Sequence, residues 1–168
     1  MRDALSGEPI PEFFVLGRIH GQWFGDDTRE AEAFLTPAFD RWVICADGHR
    51  PASGDFARAR RVDTVEDTEP ELWLINVALE PGWGAPILFQ DGEDDSLLVP
   101  EFKGRFGPPL PGVRVLADHE PVAESGQDGL ALLDLSRAPE QLDFELPGWI
   151  VAARTADEGL RLVLMARR

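Results

Sequence analysis

Hydrophobic positions along this chain alternate with polar ones in short runs closed by turn formers, the pattern of strands. It is plainest from Gly112 to Trp149. Val113 and Val115 alternate with Arg114 and Leu116, and Asp118-His119-Glu120-Pro121 turns the chain. Val122-Ala123-Glu124 resumes as strand, and Asp128-Gly129 supplies the positive φ angles of a tight turn. Leu130 to Leu135 is apolar on both parities, so this strand should be covered on both faces. Ser136 to Leu142 allows at most one helical turn. Leu142, Phe144 and Leu146 then alternate with Asp143 and Glu145, and Pro147-Gly148 turns into Trp149.

The rest of the chain reads mainly as strand. Met1 to Glu12, with Pro9 and Pro11, is expected to be a loosely held arm. Phe13 to Ile19 is a strand, bent at His20-Gly21, with Gln22 to Gly25 returning as a hairpin arm. One short helix is predicted to open at Asp26-Asp27-Thr28-Arg29-Glu30, with Asp27 as cap and Ala31, Phe34 and Leu35 as its apolar stripe. Arg41 to Ala46 and the charged run Asp55 to Val62 are strands. Leu72 to Leu79 is predicted to be the central strand of the N-terminal sheet. Ile87-Leu88-Phe89 and Leu97-Leu98-Val99 flank an acidic turn. Ile150 to Arg154 and Leu160 to Ala166 form a closing hairpin. Leu74, Ile75, Val77, Leu132, Leu133, Phe144 and Leu164 are the expected core.

Glu101 to Gly112 is rich in Gly and Pro, and a boundary is placed there. The fold class expected is mainly β (α+β): residues 1–107 form an N-terminal sheet with one short helix, and residues 108–168 an antiparallel β-sandwich-like unit. The motifs Glu120-Pro121-Val122, Asp128-Gly129-Leu130 and Leu146-Pro147-Gly148-Trp149 resemble those of transthyretin-like, carboxypeptidase regulatory-like sandwich domains. That resemblance covers residues 112–150 and implies a binding or scaffolding module without an active site of its own. The C-terminal region is short for such a domain, so a strand is expected to be missing or to come from the N-terminal half.

Composition narrows the partners. The net charge is −15, which argues against nucleic acid and anionic membranes and permits a basic protein partner or a cationic ligand, although high charge most often serves solubility alone. One cysteine, Cys45, excludes an intrachain disulfide and a cysteine-based zinc site. No signal-peptide pattern or apolar run of membrane length is visible, and a cytoplasmic location is expected.

Candidate chemistry is sparse. Cys45, Asp47 and His49 share strand parity, and thiol beside imidazole is the start of a nucleophile–base pair; the commoner arrangement is a packed thiol and a turn histidine. Asp91, Glu93 and Asp95 imitate the first ligands of an EF-hand loop, but Ser96 and Phe102 stand where that loop needs Gly and Glu. His20, His49 and His119 show no metal-binding spacing, and neither a phosphate-binding glycine loop nor a GxSxG elbow occurs. No metal or cofactor is therefore expected. Arg58, Arg60 and Arg61, with Arg50, are the one basic cluster and an anion-binding candidate.

The function expected is that of a non-enzymatic acidic interaction module, for instance an immunity or inhibitor-type protein masking a basic partner. Its surface would be an acidic rim of Glu66, Asp67, Glu69, Glu71, Asp91, Glu93, Asp94 and Asp95. The rim forms if Leu72–Leu79 and the strand through Phe89 pair as a hairpin across Pro81-Gly82. Two alternatives remain: a small-ligand pocket lined by tryptophans, and a hydrolase-like site using His20, Asp47 and His49.

Overall fold

A computed structural model of the chain describes residues 1–28, 40–55, 60–62, 72–74, 76–92, 108–157 and 160–168. The protein is mainly β, and among the described residues there is no helix. In chain order the strands are β1 (Arg2–Asp3), β2 (Phe13–Ile19), β3 (Gln22–Thr28), β4 (Arg41–Cys45), β5 (Ala52–Gly54), β6 (Arg60–Val62), β7 (Leu72–Leu74) and β8 (Ala78–Leu79). They continue with β9 (Trp83–Asp91), β10 (Arg114–Ala117), β11 (Glu120–Glu124), β12 (Leu130–Leu135), β13 (Leu142–Glu145), β14 (Trp149–Asp157) and β15 (Leu160–Arg167).

Three sheets stack in layers. The middle sheet has the order β12-β9-β15-β14, and β9 runs antiparallel to β12 but parallel to β15. One of its faces presents Ile87, Phe89, Ala131, Leu133, Val163 and Met165, packed with Val113, Val115 and Phe144 of the three-stranded sheet β11-β10-β13. The other presents Leu88 and Leu130, packed with Leu16, Trp23 and Val43 of the N-terminal sheet β3-β2-β4-β5. Two-sided cover explains why β9 and β12 are apolar on both parities. Each fully buried Ile, Leu or Phe contributes about 1.5–3 kcal/mol relative to exposure. β9 belongs by sequence to the segment before residue 108, yet it is hydrogen bonded to two strands after it.

The turns set the registers. His20-Gly21 and Asp118-His119 both take positive φ at their two positions and close the hairpins β2–β3 and β10–β11. Gly129, at φ 73°, cannot carry a side chain, because a Cβ there would lie 2.6 Å from the Phe89 carbonyl oxygen. Ser125 is buried; its Oγ donates to the Leu110 carbonyl (2.8 Å) and accepts from the Val113 amide (2.9 Å), so both buried backbone groups are paired.

Several expectations are corrected. Asp26, Asp27 and Thr28 do not open a helix; they end β3, where Asp27 stands across from Phe14 and Thr28 from Phe13. Cross-strand pairing with β2, where Asp26 stands across from the buried Val15, outweighs the poor strand propensity of Asp. The remainder of that predicted helix lies outside the described residues. Leu72–Leu79 is not a central strand. β7 pairs with β6 in a two-stranded ribbon and β8 with β1, while β2 and β4 occupy the centre of the N-terminal sheet. Nor do these residues form a hairpin with β9 across Pro81-Gly82. Asp55 lies beyond the end of β5 and is not strand; the run from Ser136 to Gln141, for which at most one helical turn is expected, has none. The N-terminal arm is held: β1 runs parallel to β8, and Ile10 is buried with Phe13, Val15, Trp42, Ile44 and Leu79 on the outer face of the N-terminal sheet. Of the expected core, Leu133 and Leu164 are buried; Leu132, Phe144 and Val77 are half-buried. Ile75 lies outside the described residues, and Leu74 lies on β7.

One ion-pair cluster spans two layers. Asp128, buried in the turn before β12, accepts from Arg18 Nη1 (2.8 Å) and Arg41 Nη1 (3.1 Å) of β2 and β4. Arg18 Nε donates to Asp40 at 2.8 Å, and this bond raises the arginine's pKa further above its ordinary value. Both guanidinia lie over the ring of Trp23, 5.7 and 5.8 Å from its centroid. Asp128→Ala should therefore cost about 2–3 kcal/mol, below the value for a wholly buried pair because the arginines remain part-exposed. A shift in urea midpoint without a change of slope would measure it; an unchanged midpoint would mean that the cluster contributes nothing net.

Candidate functional site

The residues singled out for chemistry fall at separate places. Cys45 ends β4 and is buried against β2, with Sγ 3.9 Å from the Phe14 carbonyl oxygen. Burial, with the charge of Asp47 adding, pushes its thiol from the ordinary 9.0 up to about 12. A thiol of this kind is packing, not an activated nucleophile. His49 belongs to the turn between β4 and β5. Its Nδ1 lies 2.8 Å from the Asp47 carbonyl oxygen and its Nε2 2.9 Å from Asp3 Oδ2. The imidazole is thus oriented toward the N-terminal segment. Asp3 is the partner that the sequence reading missed, being 46 residues away, and only the β1–β8 pairing brings it there.

His20 sits at the opposite end of the same sheet. Phe14 pairs with Cys45 and Arg18 with Arg41, so the β2–β3 turn and the β4–β5 turn are at least roughly 15 Å apart along the strands. His20, Asp47 and His49 therefore do not converge on one substrate. His119 is exposed in the β10–β11 turn, 3.9 Å from Asp143. Among the described residues no three His, Cys, Asp or Glu side chains gather as ligands for a metal ion.

The tryptophans are dispersed too. Trp23 and Trp42 occupy opposite faces of the N-terminal sheet, and Trp42 Nε1 donates to the Asp55 carbonyl (3.0 Å). Trp83 and Trp149 are half-buried, covered by Arg161 and Arg167 at 5.4 and 5.3 Å. Of the expected anion cluster, Arg60 and Arg61 lie on β6 and Arg58 is outside the described residues; Arg50 Nε is 3.5 Å from Asp134, an ion pair without hydrogen-bond geometry. Of the acidic rim, Asp91 ends β9, while Glu66, Asp67, Glu69, Glu71, Glu93, Asp94 and Asp95 lie outside the described residues.

One described surface does gather charge. On β10, Val113, Val115 and Ala117 face inward, so Arg114 and Leu116 face out. Arg114 stands between Glu124 and Glu145, and donates to Glu145 at 2.8 Å; Leu116 stands between Pro121 and Asp143. Asp118, Glu120 and Glu140 are exposed at the β10–β11 end of the sheet, Glu120 across from the inward-facing Ala117, and Asp118 Oδ1 accepts from the Glu140 and Gln141 amides, both at 2.9 Å. Val122 adds an exposed apolar side chain. Carboxylates thus outnumber the one arginine of the face, and that arginine is already paired.

Comparison of the chain with protein-family models, with curated proteins and with solved structures returns no match. The turns that carry the transthyretin-like resemblance, at Asp128-Gly129 and Pro147-Gly148, each place a glycine at positive φ. Any antiparallel meander can use that local chemistry.

Two outcomes check the Cys45–His49 corner. A thiol raised to about 12 leaves about a thousandfold less thiolate near neutral pH, so folded protein should react with a thiol reagent about a thousandfold more slowly than protein in denaturant. Asp3 is pulled from the ordinary 3.8 to about 2, first by the Ser6 amide and then by His49. A carboxyl depressed by folding stabilises the fold above its unfolded pKa and loses that contribution as the pH falls. The stability difference between wild type and Asp3→Asn should therefore be present above 3.8 and vanish toward about 2, as urea midpoints at stepped pH would show.

Proposed function

We propose that this chain is a non-enzymatic binding module that offers an acidic β surface to a basic protein partner, in the manner of an immunity or inhibitor-type protein. The observation that carries the reading is the outer face of β10, β11 and β13, where Glu124 and Glu145 flank Arg114, which Glu145 already holds, and Asp143 stands beside Leu116. Several other described arginines are also engaged: Arg18 and Arg41 with Asp128, Arg50 with Asp134, and Arg154, Arg161 and Arg167 over aromatic rings. The chain as a whole carries a net charge of −15. Clustered like charge opposes folding, and steering a partner is a use that offsets this cost. Leu116 and Val122 supply an apolar centre, as docking surfaces have.

A defined lysine- and arginine-rich peptide tests the location. In a heteronuclear NMR titration, the amides that move should lie on β10, β11 and β13. Neutralising Glu124, Asp143 and Glu145 to Gln or Asn should weaken binding about tenfold, mainly through the on-rate, and added salt should erase the difference. Neutralising Glu8, Glu12, Asp47 and Glu80, four exposed carboxylates elsewhere, should change it less than about twofold. Equal effects from both sets would reduce the attraction to net charge alone and remove this face as the site.

A further inference from the structure

We propose that Asp3 and His49 form a proton-gated clasp: with both ring nitrogens protonated, His49 holds residues 1–10 on the outer face of the N-terminal sheet, and loss of one proton loosens that segment.

The segment is attached through the two-residue ladder of β1 with β8. The Arg2 amide donates to the Val77 carbonyl (3.1 Å) and the Ala4 amide to the Leu79 carbonyl (2.8 Å). Much of its other bonding is internal. Asp3 Oδ1 accepts from the Leu5 and Ser6 amides, Arg2 donates to the Gly7 carbonyl, and Ser6 Oγ accepts from the Glu8 amide. These contacts shape the turn without fastening it to the sheet. Met1 and Ile10 add apolar contact with Phe13, Val15, Trp42, Ile44 and Leu79. Asp3 Oδ2 then reaches out of the segment to His49 Nε2 at 2.9 Å.

The imidazole makes that attachment conditional. Both ring nitrogens face oxygens, Nδ1 the Asp47 carbonyl at 2.8 Å and Nε2 the Asp3 carboxylate at 2.9 Å. A carbonyl and a carboxylate only accept, and neutral imidazole donates from one nitrogen only. In the neutral ring one nitrogen lone pair must therefore confront an oxygen lone pair at hydrogen-bond distance. The imidazolium satisfies both contacts and adds a charge-assisted bond to Asp3. Either the bond to Asp3 or the bond that orients the ring is lost with the proton.

The surroundings do not supply a substitute. Among the described residues, the charged and titratable groups near His49 include the Met1 amino group, Asp3 and Arg2 at β1, Asp47 and Arg50 in its own turn, and Glu80 before β9. Arg50 is directed to Asp134, and Asp47 and Glu80 are exposed. Asp3, held near 2, stays ionised throughout the range in which histidines change charge, so a response there does not belong to Asp3; the His49→Gln variant separates the ring from the Met1 amino group of the same segment. His49 and Asp3 side chains are 17% and 18% exposed, enough for protons to reach them.

Site-resolved hydrogen exchange tests the clasp. Protection of the Arg2 and Ala4 amides, corrected for the intrinsic pH dependence of exchange, should fall about tenfold between about pH 5 and about pH 8. Protection of Leu16 and Val43, central in the same sheet, should not follow. In His49→Gln the Arg2 and Ala4 amides should show the lowered protection at both pH values. Histidine-ring NMR on wild type provides a second readout that needs no variant: both His49 nitrogens should carry protons at the lower pH. Protection that ignores pH in wild type, a pH response that survives in His49→Gln, or loss shared with Leu16 and Val43 would each overturn the proposal.

Discussion

Strand β9 buries six consecutive residues, Ala85 to Gln90, and a strand buried on both faces needs a packed layer on each side. The three-stranded sheet supplies one layer through Val113, Val115 and Phe144; the N-terminal sheet supplies the other through Leu16, Trp23 and Val43. Neither outer sheet could be removed without exposing a row of the middle one. The N-terminal sheet has the same requirement on its far side, where Phe13, Val15, Trp42 and Ile44 are covered by β8 and the chain's first ten residues. Burial thus propagates outward from β9, and each cover is shorter than the last, ending in the two-residue strand β1.

Polar groups fix how the layers align. Apolar faces alone permit sliding, since many registers bury similar area. Asp128 removes that freedom: its carboxylate sits in the turn before β12 and must meet Arg18 and Arg41 across the layer gap. A buried carboxylate without those partners would be costly, so only alignments that deliver both guanidinia are low in energy. Ser125 does the same on the other side, pairing with Leu110 and Val113 to hold the entry of β10.

The parts legible in the sequence were those decided by neighbours in the chain. The turns at His20-Gly21, Asp118-His119 and Asp128-Gly129 are local chemistry, and so is the alternation that marks β10 and β13. Two-sided burial of β12 was readable because it leaves apolar residues on both parities. Which strands pair was not: the apolar run in β9 carries no mark of its parallel partner β15, more than seventy residues away. The same applies to the candidate sites. Arg18 and Arg41 are ordinary strand charges until Asp128 arrives from 110 and 87 positions along the chain. His49 was noticed as a possible base, but its partner is Asp3, in a segment whose prolines suggested a loose arm.

The arrangement of sheet edges bears on how a partner would engage. An open edge invites another strand to add by backbone pairing. At the edge of the three-stranded sheet, β11 has Pro121, which lacks an amide hydrogen, between Glu120 and Glu124. β14, at the edge of the middle sheet, carries an irregularity in its pairing between Val151 and Ala153. β5 is three residues long. Each of these features discourages strand addition. The outer face of β10, β11 and β13 has the opposite character: it is exposed, its carboxylates are in excess, and Leu116 lies at its centre. A partner approaching that side meets side chains rather than a ladder. Its affinity would then depend on charge and on salt, whereas strand addition, resting on uncharged backbone bonds, would depend on neither to the same degree.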